Sequence, residues 1–318
     1  MSEFLTRKIG SDLGSWRRRV AVSGNKRADQ MYRRQFVKLS GVAGAGGLLA
    51  LAGADGGMAD GGQTPEPSPP GPGGANCPTP SALCGFPSQS GGRYELWDKV
   101  QVCLGTRTAP ATNCLRTTSD YVVLNGMPQN SHNFLLLPTC RVSGIECPFI
   151  ATTAAPNYWL DAWINAQPGQ PSHVVYPNIG LGVNSANTRD QDQLHIHLAG
   201  IHSGIQTQLN AYDSSITNNP ANWRSQIVPI WGLTSTGMPA PRSYRVLHVS
   251  NLNTNLFMLL RDSVVGPTGA NMADQALAVT PRLVGNGGFY LLNSEPALQT
   301  PPGQPGGTGT VDFLLAYT

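Results

Sequence analysis

The chain has 318 residues, 40% of them hydrophobic and 12% charged, with 37 Gly, 26 Pro and six Cys. This length allows one large domain or two small ones with a real core, and the composition excludes a coiled coil, a fibrous chain and a wholly disordered one. Residues 1–54 carry a net +7, so the chain's +3 leaves the remainder at −4, which argues against a basic nucleic-acid-binding body.

At the N-terminal end, the twin arginine Arg33-Arg34 is followed by Phe36 and Lys38, then by a Gly/Ala-rich apolar stretch over 41–54. This is the pattern of a Tat-type export signal, and it predicts a periplasmic or other extracytoplasmic destination. Residues 55–92 are Gly, Pro, Ser, Thr and Gln with little charge, and read as a disordered linker. No apolar run outside the N-terminal segment is long enough for a membrane span. The six cysteines fall in close pairs without CxxC spacing, which in an exported chain favours disulfides over a metal site. Six cysteines allow 15 connectivities, and the pairing expected from short loops is Cys77–Cys84, Cys103–Cys114 and Cys140–Cys147.

A helix is predicted over 94–104 from the spacing of Leu96, Trp97, Val100 and Cys103. The apolar runs 121–124 and 134–137, with Gly126, Pro128 and Asn130 between them, predict a hairpin. Pro156 opens a second helix, 157–166, with Trp159, Leu160 and Trp163 along one side. Strands are expected at 179–183, 194–201, 245–249, 256–260, 276–279 and 289–292. Residues 299–309 read as a second linker, and 311–317 as a last strand or a tail that packs back. Short antiparallel strands with two or three helices give an α+β domain.

One stretch carries chemistry, from Asn184 to His202. On a strand, alternate side chains share a face, so Leu194, Ile196 and Leu198 point to the core while Gln191, Gln193, His195 and His197 share the other side. Three readings of the two imidazoles compete. They could bind a metal ion, with further ligands from His132, His173, His248 or a carboxylate. They could be structural. Or one could attack phosphorus to form a phosphoramidate while nearby amides hold the non-bridging oxygens.

The spacing Asn184…Gln191…His195-x-His197 resembles the histidine-triad (HIT) superfamily of nucleotide hydrolases and transferases. Within it the chain is most similar to the CDP-diacylglycerol pyrophosphatases. The resemblance runs through the Cys103/Cys114 pair, Tyr121–Leu124, Leu135–Thr139, Arg141–Glu146, the Pro156–Trp163 helix, the Leu194–His197 strand and Gly288–Leu292, over about residues 94–295. It implies a HIT-like antiparallel sheet with packed helices, in which His197 is the nucleophile and His195 its orienting neighbour. Asn184 would fix that neighbour and Gln191 would lie at the phosphate. The chain departs from the pattern at Ala199, where the superfamily has a group able to contact the leaving oxygen, and at Thr188, where a turn glycine is usual. His202 stands where a basic residue is usual and is the candidate for the missing proton or phosphate contact. His132, one residue off a phosphate-facing position of other branches, reads as a surface residue.

The resemblance therefore implies hydrolysis of CDP-diacylglycerol to CMP and phosphatidate through a covalent nucleotidyl-histidine. No cofactor is expected. The partners would be a nucleotide-linked phospholipid and a membrane surface, not nucleic acid. The expected organisation is an export signal over 1–54, a linker over 55–92, the hydrolase domain over 93–298 and a Gly/Pro-rich tail over 299–318. The alternatives are a hydrolase of another nucleotide diphosphate or phosphoramidate, and a non-catalytic nucleotide- or lipid-binding relative.

Overall fold

The structure, a computed structural model, describes residues 77–108 and 112–317. The Tat-type segment and the linker up to residue 76 lie outside the described residues. Ten strands form one sheet: β1 (Cys114–Thr117), β2 (Tyr121–Asn130), β3 (Asn133–Pro138), β4 (Ile179–Val183), β5 (Ile196–Ile201), β6 (Ile227–Leu233), β7 (Pro239–Val249), β8 (Ala276–Pro281), β9 (Phe289–Ser294) and β10 (Leu315–Ala316). Their spatial order is β1-β2-β3-β5-β4-β8-β9-β7-β6. The two-residue β10 pairs with the end of β5, Leu315 opposite Ile201 and Ala316 opposite Gly200. Every pairing is antiparallel. With helices α1 (Glu95–Cys103), α2 (Tyr158–Ala166) and α3 (Ser203–Tyr212), the chain is α+β as expected.

The sheet is buried on both sides. Leu136, Leu181, Leu194, Ile196 and Leu198 face a core shared with Tyr158, Trp159 and Ala162 of α2. Alternation turns the intervening residues to the other side, where Ala199 and Ile201 meet Ile205 and Leu209 of α3 and Val311, Leu314 and Leu315 near the chain's end. Register carries that second face across the strands: His197 is opposite Leu135 on β3 and Gly182 on β4. Leu135 in turn packs with Leu96, Trp97 and Val100 of α1. The histidine side of β5 thus lies between α1 and the segment 308–317.

Three expectations are corrected. Residues Leu256–Leu260 form a helix, not a strand, and it continues through a wider turn over Arg261–Val265. The run Leu-Phe-Met-Leu-Leu has no period to separate strand from buried helix. Asn255 decides it, its Oδ1 accepting from the N–H groups of Phe257 and Met258 as an N-cap. The disulfides are Cys77–Cys140, Cys84–Cys147 and Cys103–Cys114, so only the third joins nearest neighbours. Short-loop reasoning counts only chain entropy; here the segment 77–84 lies alongside 140–147, and Ser143 N–H donates to Cys84 O at 3.0 Å. Residues 77–92 are accordingly pinned to the body rather than loose, and so is much of 299–309. There Ser243 N–H donates to Gly306 O and Ser185 N–H to Gly309 O, contacts a low-hydropathy sequence does not announce.

Candidate active site

The site is built from the end of β4, the loop 184–195 and β5. His195 and His197 lie side by side, ring centroids 5.0 Å apart and edge to face. His195 is buried, and its Nδ1 is 2.7 Å from Gln193 O. A carbonyl only accepts, so Nδ1 carries the proton and Nε2 the lone pair. His197 as a residue is half-buried, yet both its ring nitrogens are sealed from solvent and without a hydrogen-bond partner. Burial pushes the His197 pKa down to about 4, and burial together with the neighbouring His197 pushes His195 down to about 3. Both imidazoles are neutral at neutral pH, the form in which a ring nitrogen is a nucleophile.

The loop that delivers them is staked by charge. Arg189 makes two 2.7 Å bonds to the Glu146 carboxylate and one of 3.0 Å to Asp192. Asp192 also takes Arg93, at 2.8 and 3.0 Å, and Arg93 with Arg189 holds its carboxyl below the usual range against the opposing effect of burial. Arg189 is 8% exposed. A buried, bidentate pair of this kind is costly to break from one side. Gln193, expected on the histidine face, instead turns its amide into the end of β3, donating to Pro138 O and Cys140 O. Its Oε1 accepts from Arg141 at 3.2 Å.

The other expected site residues are elsewhere. Gln191 spends its amide on Gly92 O and Leu96 N–H, at the start of α1. Asn184 accepts at Oδ1 from Val311 N–H (2.8 Å) and Thr310 Oγ1 (3.1 Å) rather than bonding His195. His202 precedes α3 and donates its backbone N–H to Leu314 O; burial lowers its side-chain pKa. His132 leans on Tyr176 at 5.8 Å. All six cysteines are in disulfides, which fits an oxidising, extracytoplasmic compartment. Among the described residues no group of three or more His, Cys, Asp or Glu is arranged to hold a metal ion. No helix among them is long and apolar enough to cross a membrane.

The last strand or packed-back tail expected over 311–317 is found as β10, but sequence reading did not place it beside the histidines. Tyr317 lies with its ring centroid 5.4 Å from that of His197, and its hydroxyl donates to Asp312 at 2.9 Å. Gly180 and Gly182 of β4 admit this segment: a Cβ on either would sit 2.7 Å from a side-chain carbon of Leu315 or Val311. The signal for that position was the alternation Ile179-Gly-Leu-Gly-Val183, which leaves one side of β4 bare.

An α+β sheet that sets one neutral imidazole on β5 and a second at the end of the loop just before it marks a candidate histidine-centred site. Residues 92–306 match the family described as CDP-diacylglycerol pyrophosphatase, and the chain belongs to it. A relative of that name from Yersinia pestis is 30% identical over 183 residues, 52% of this chain and 61% of the relative. The chain thus spans less than two thirds of that protein's length.

Proposed function

We propose that the chain hydrolyses the pyrophosphate bond of CDP-diacylglycerol, with His197 as nucleophile. In this reading a ring nitrogen of His197 forms a bond to the CMP-side phosphorus as the phosphorus–oxygen bond to phosphatidate breaks, and the bridging oxygen leaves with the electron pair. Water then attacks the cytidylyl-histidine, the nitrogen–phosphorus bond breaks, CMP departs, and the imidazole is neutral again. His195, its proton committed to Gln193 O, keeps its position beside the nucleophile and leaves Nε2 free to accept. The observation that carries the reading is a neutral His197, its two ring nitrogens sealed and unpartnered, at the His-x-His position of a chain in this family.

The domain organisation follows the same reading, with a HIT-like hydrolase body whose expected bounds 93–298 widen to take in 77–92 and the segment through β10, behind a Tat-type signal over 1–54 and a linker, working at a membrane surface outside the cytoplasm. Asn184, Gln191 and His202 belong to it as substrate-contacting residues, with Asn184 and Gln191 released from their present partners when substrate binds. No cofactor is assigned. The test is incubation with CDP-diacylglycerol and mass spectrometry of the quenched protein. A cytidylyl adduct on His197, and no CMP from His197→Ala, is the expected result. Turnover retained by that variant refutes the covalent route, and turnover lost to a chelator and restored by a divalent ion favours the metal reading. Hydrolysis of CDP-choline or ADP-ribose but not the lipid would favour the broader nucleotide-hydrolase alternative.

A further inference from the structure

The β6–β7 hairpin ends the sheet, and it carries an apolar face that no element covers. The cross-strand pairs Trp231–Pro241 and Leu233–Pro239 stand side by side on one side of the ribbon, with Met238 at the turn between them. Trp231 is 61% exposed and Met238 62%. The charge around them is one-sided. From Ser214 to Arg261 the sequence has no Asp or Glu but four Arg, although residues 55–318 as a whole carry −4. Arg245 and Arg261 have acidic partners in Glu295 and Asp262. Arg242 makes no salt bridge with any described residue; its guanidinium lies 4.7 Å from the centroid of Phe313 and donates to Pro241 O.

The edge of this hairpin is closed to a further strand. Gln208 of α3 takes both backbone groups of Trp231, its Oε1 accepting from the N–H at 2.8 Å and its Nε2 donating to the O at 3.1 Å. Leu233 N–H donates to Phe313 O at 2.9 Å, and Pro229 has no N–H to give. At the turn, Thr234 N–H donates to Met238 O and Met238 N–H to Thr234 Oγ1. Water would satisfy such groups unaided, whereas an apolar medium would not. The capped backbone argues against edge-to-edge pairing with a second copy and meets what a lipid interface demands.

We infer that the β6–β7 hairpin docks the protein on an anionic bilayer, with Trp231, Met238 and Pro239 in the lipid interface and Arg242 at the headgroup phosphates. This rests on the reading that the substrate is met at a membrane surface, and it names the element that does the meeting. The hairpin is joined to the histidine site through one segment: Gly232 leaves the room that Phe313 O occupies, and four residues on Tyr317 lies against His197. Docking here holds the histidine face in a fixed place beside the lipid.

The test uses the full, disulfide-bonded chain and vesicles of brominated phosphatidylcholine, alone or with about 30 mol% phosphatidylglycerol to supply surface charge. Lipid should quench the wild-type tryptophan fluorescence more than that of Trp231→Phe, a difference that reads this one ring whatever else holds the chain to the vesicle. The lipid concentration at half quenching should be about fivefold lower on the charged vesicles. Arg242→Gln should raise it about fivefold on the charged vesicles alone, and Met238→Ser about fivefold on both. No difference in quenching between wild type and Trp231→Phe overturns the docking, as do midpoints that neither variant moves. A wild type that dimerises without lipid, becomes monomeric on Trp231→Ala and shows no Trp231 quenching assigns the face to a second copy and overturns it too. The proposed function fails separately: if the wild type releases no CMP while Trp231 is still quenched, docking stands and the hydrolase reading falls.

Discussion

Replacing His197 with phenylalanine should flatten the acid side of the stability profile. The folded-state pKa values of His195 and His197 lie at about 3 and about 4, against 6.5 for an unperturbed imidazole. Between pH 6.5 and about pH 4 the unfolded chain therefore binds protons that the folded chain refuses, so stability is present above that window and is lost as pH falls through it. Each pH unit below 6.5 removes about 1.4 kcal/mol per ring. From about pH 7.5 to about pH 5 the loss is about 2 kcal/mol for each histidine and about 4 kcal/mol for the pair. Asp161 works the other way, because burial and Asp120 raise its pKa to about 6, but it is common to both proteins and cancels in the comparison. Phenylalanine suits the test because the nitrogens it deletes make no bonds. Urea unfolding of wild type and His197→Phe at the two pH values should show the variant losing about 2 kcal/mol less. Equal losses would mean that the ring titrates as if in water, and would refute the sealed site.

Two further outcomes follow from the packing. Arg189→Leu leaves the largely covered Glu146 carboxylate without its bidentate partner, and should cost about 3 kcal/mol in denaturant unfolding, with much of it recovered when Glu146→Leu is added. Replacing Cys84 and Cys147 together by serine should cost about 3 kcal/mol, because Cys77–Cys140 still ties the same segments and only the short arms 77–84 and 140–147 are released. Non-reducing peptide mapping of the parent should show these two crossed linkages and no Cys77–Cys84 fragment.

Most of the sheet was legible because its strands carry a period. Ile179–Val183 and the alternation through Leu194–Leu198 sort into core and opposite face as read, and α1 and α2 announce themselves by apolar spacing and by Pro156. The strand β6 and helix α3 were not seen, since Ile227–Leu233 is interrupted by Pro229 and Gly232, and α3 carries little beyond Ile205 and Leu209 on its buried side. Leu256–Leu260 failed for the opposite reason, being apolar throughout. In the site, the His-x-His pair could be found from residue type and spacing, whereas the partners of Asn184, Gln191 and Gln193 could not. An amide bonds whatever the fold brings near it, and here the fold brings Thr310 and Val311, the start of α1 and the end of β3. Cystine pairing failed likewise, because it depends on which loops lie together and not on which cysteines are close in sequence.

The ionic stakes around Arg189 set a division of labour within the site. Glu146, Asp192 and Arg93 grip the loop from one side and Gln193 from the other, so the loop end that carries His195 and the strand that carries His197 behave as an anvil. The opposite wall, the segment 308–317, is held by packing rather than by charge, with Val311, Leu314 and Leu315 buried in the second core. On the proposed reading, a floor held this way keeps the dipoles around the His197 ring oriented throughout, so none of the cost of aiming them falls on the reaction itself.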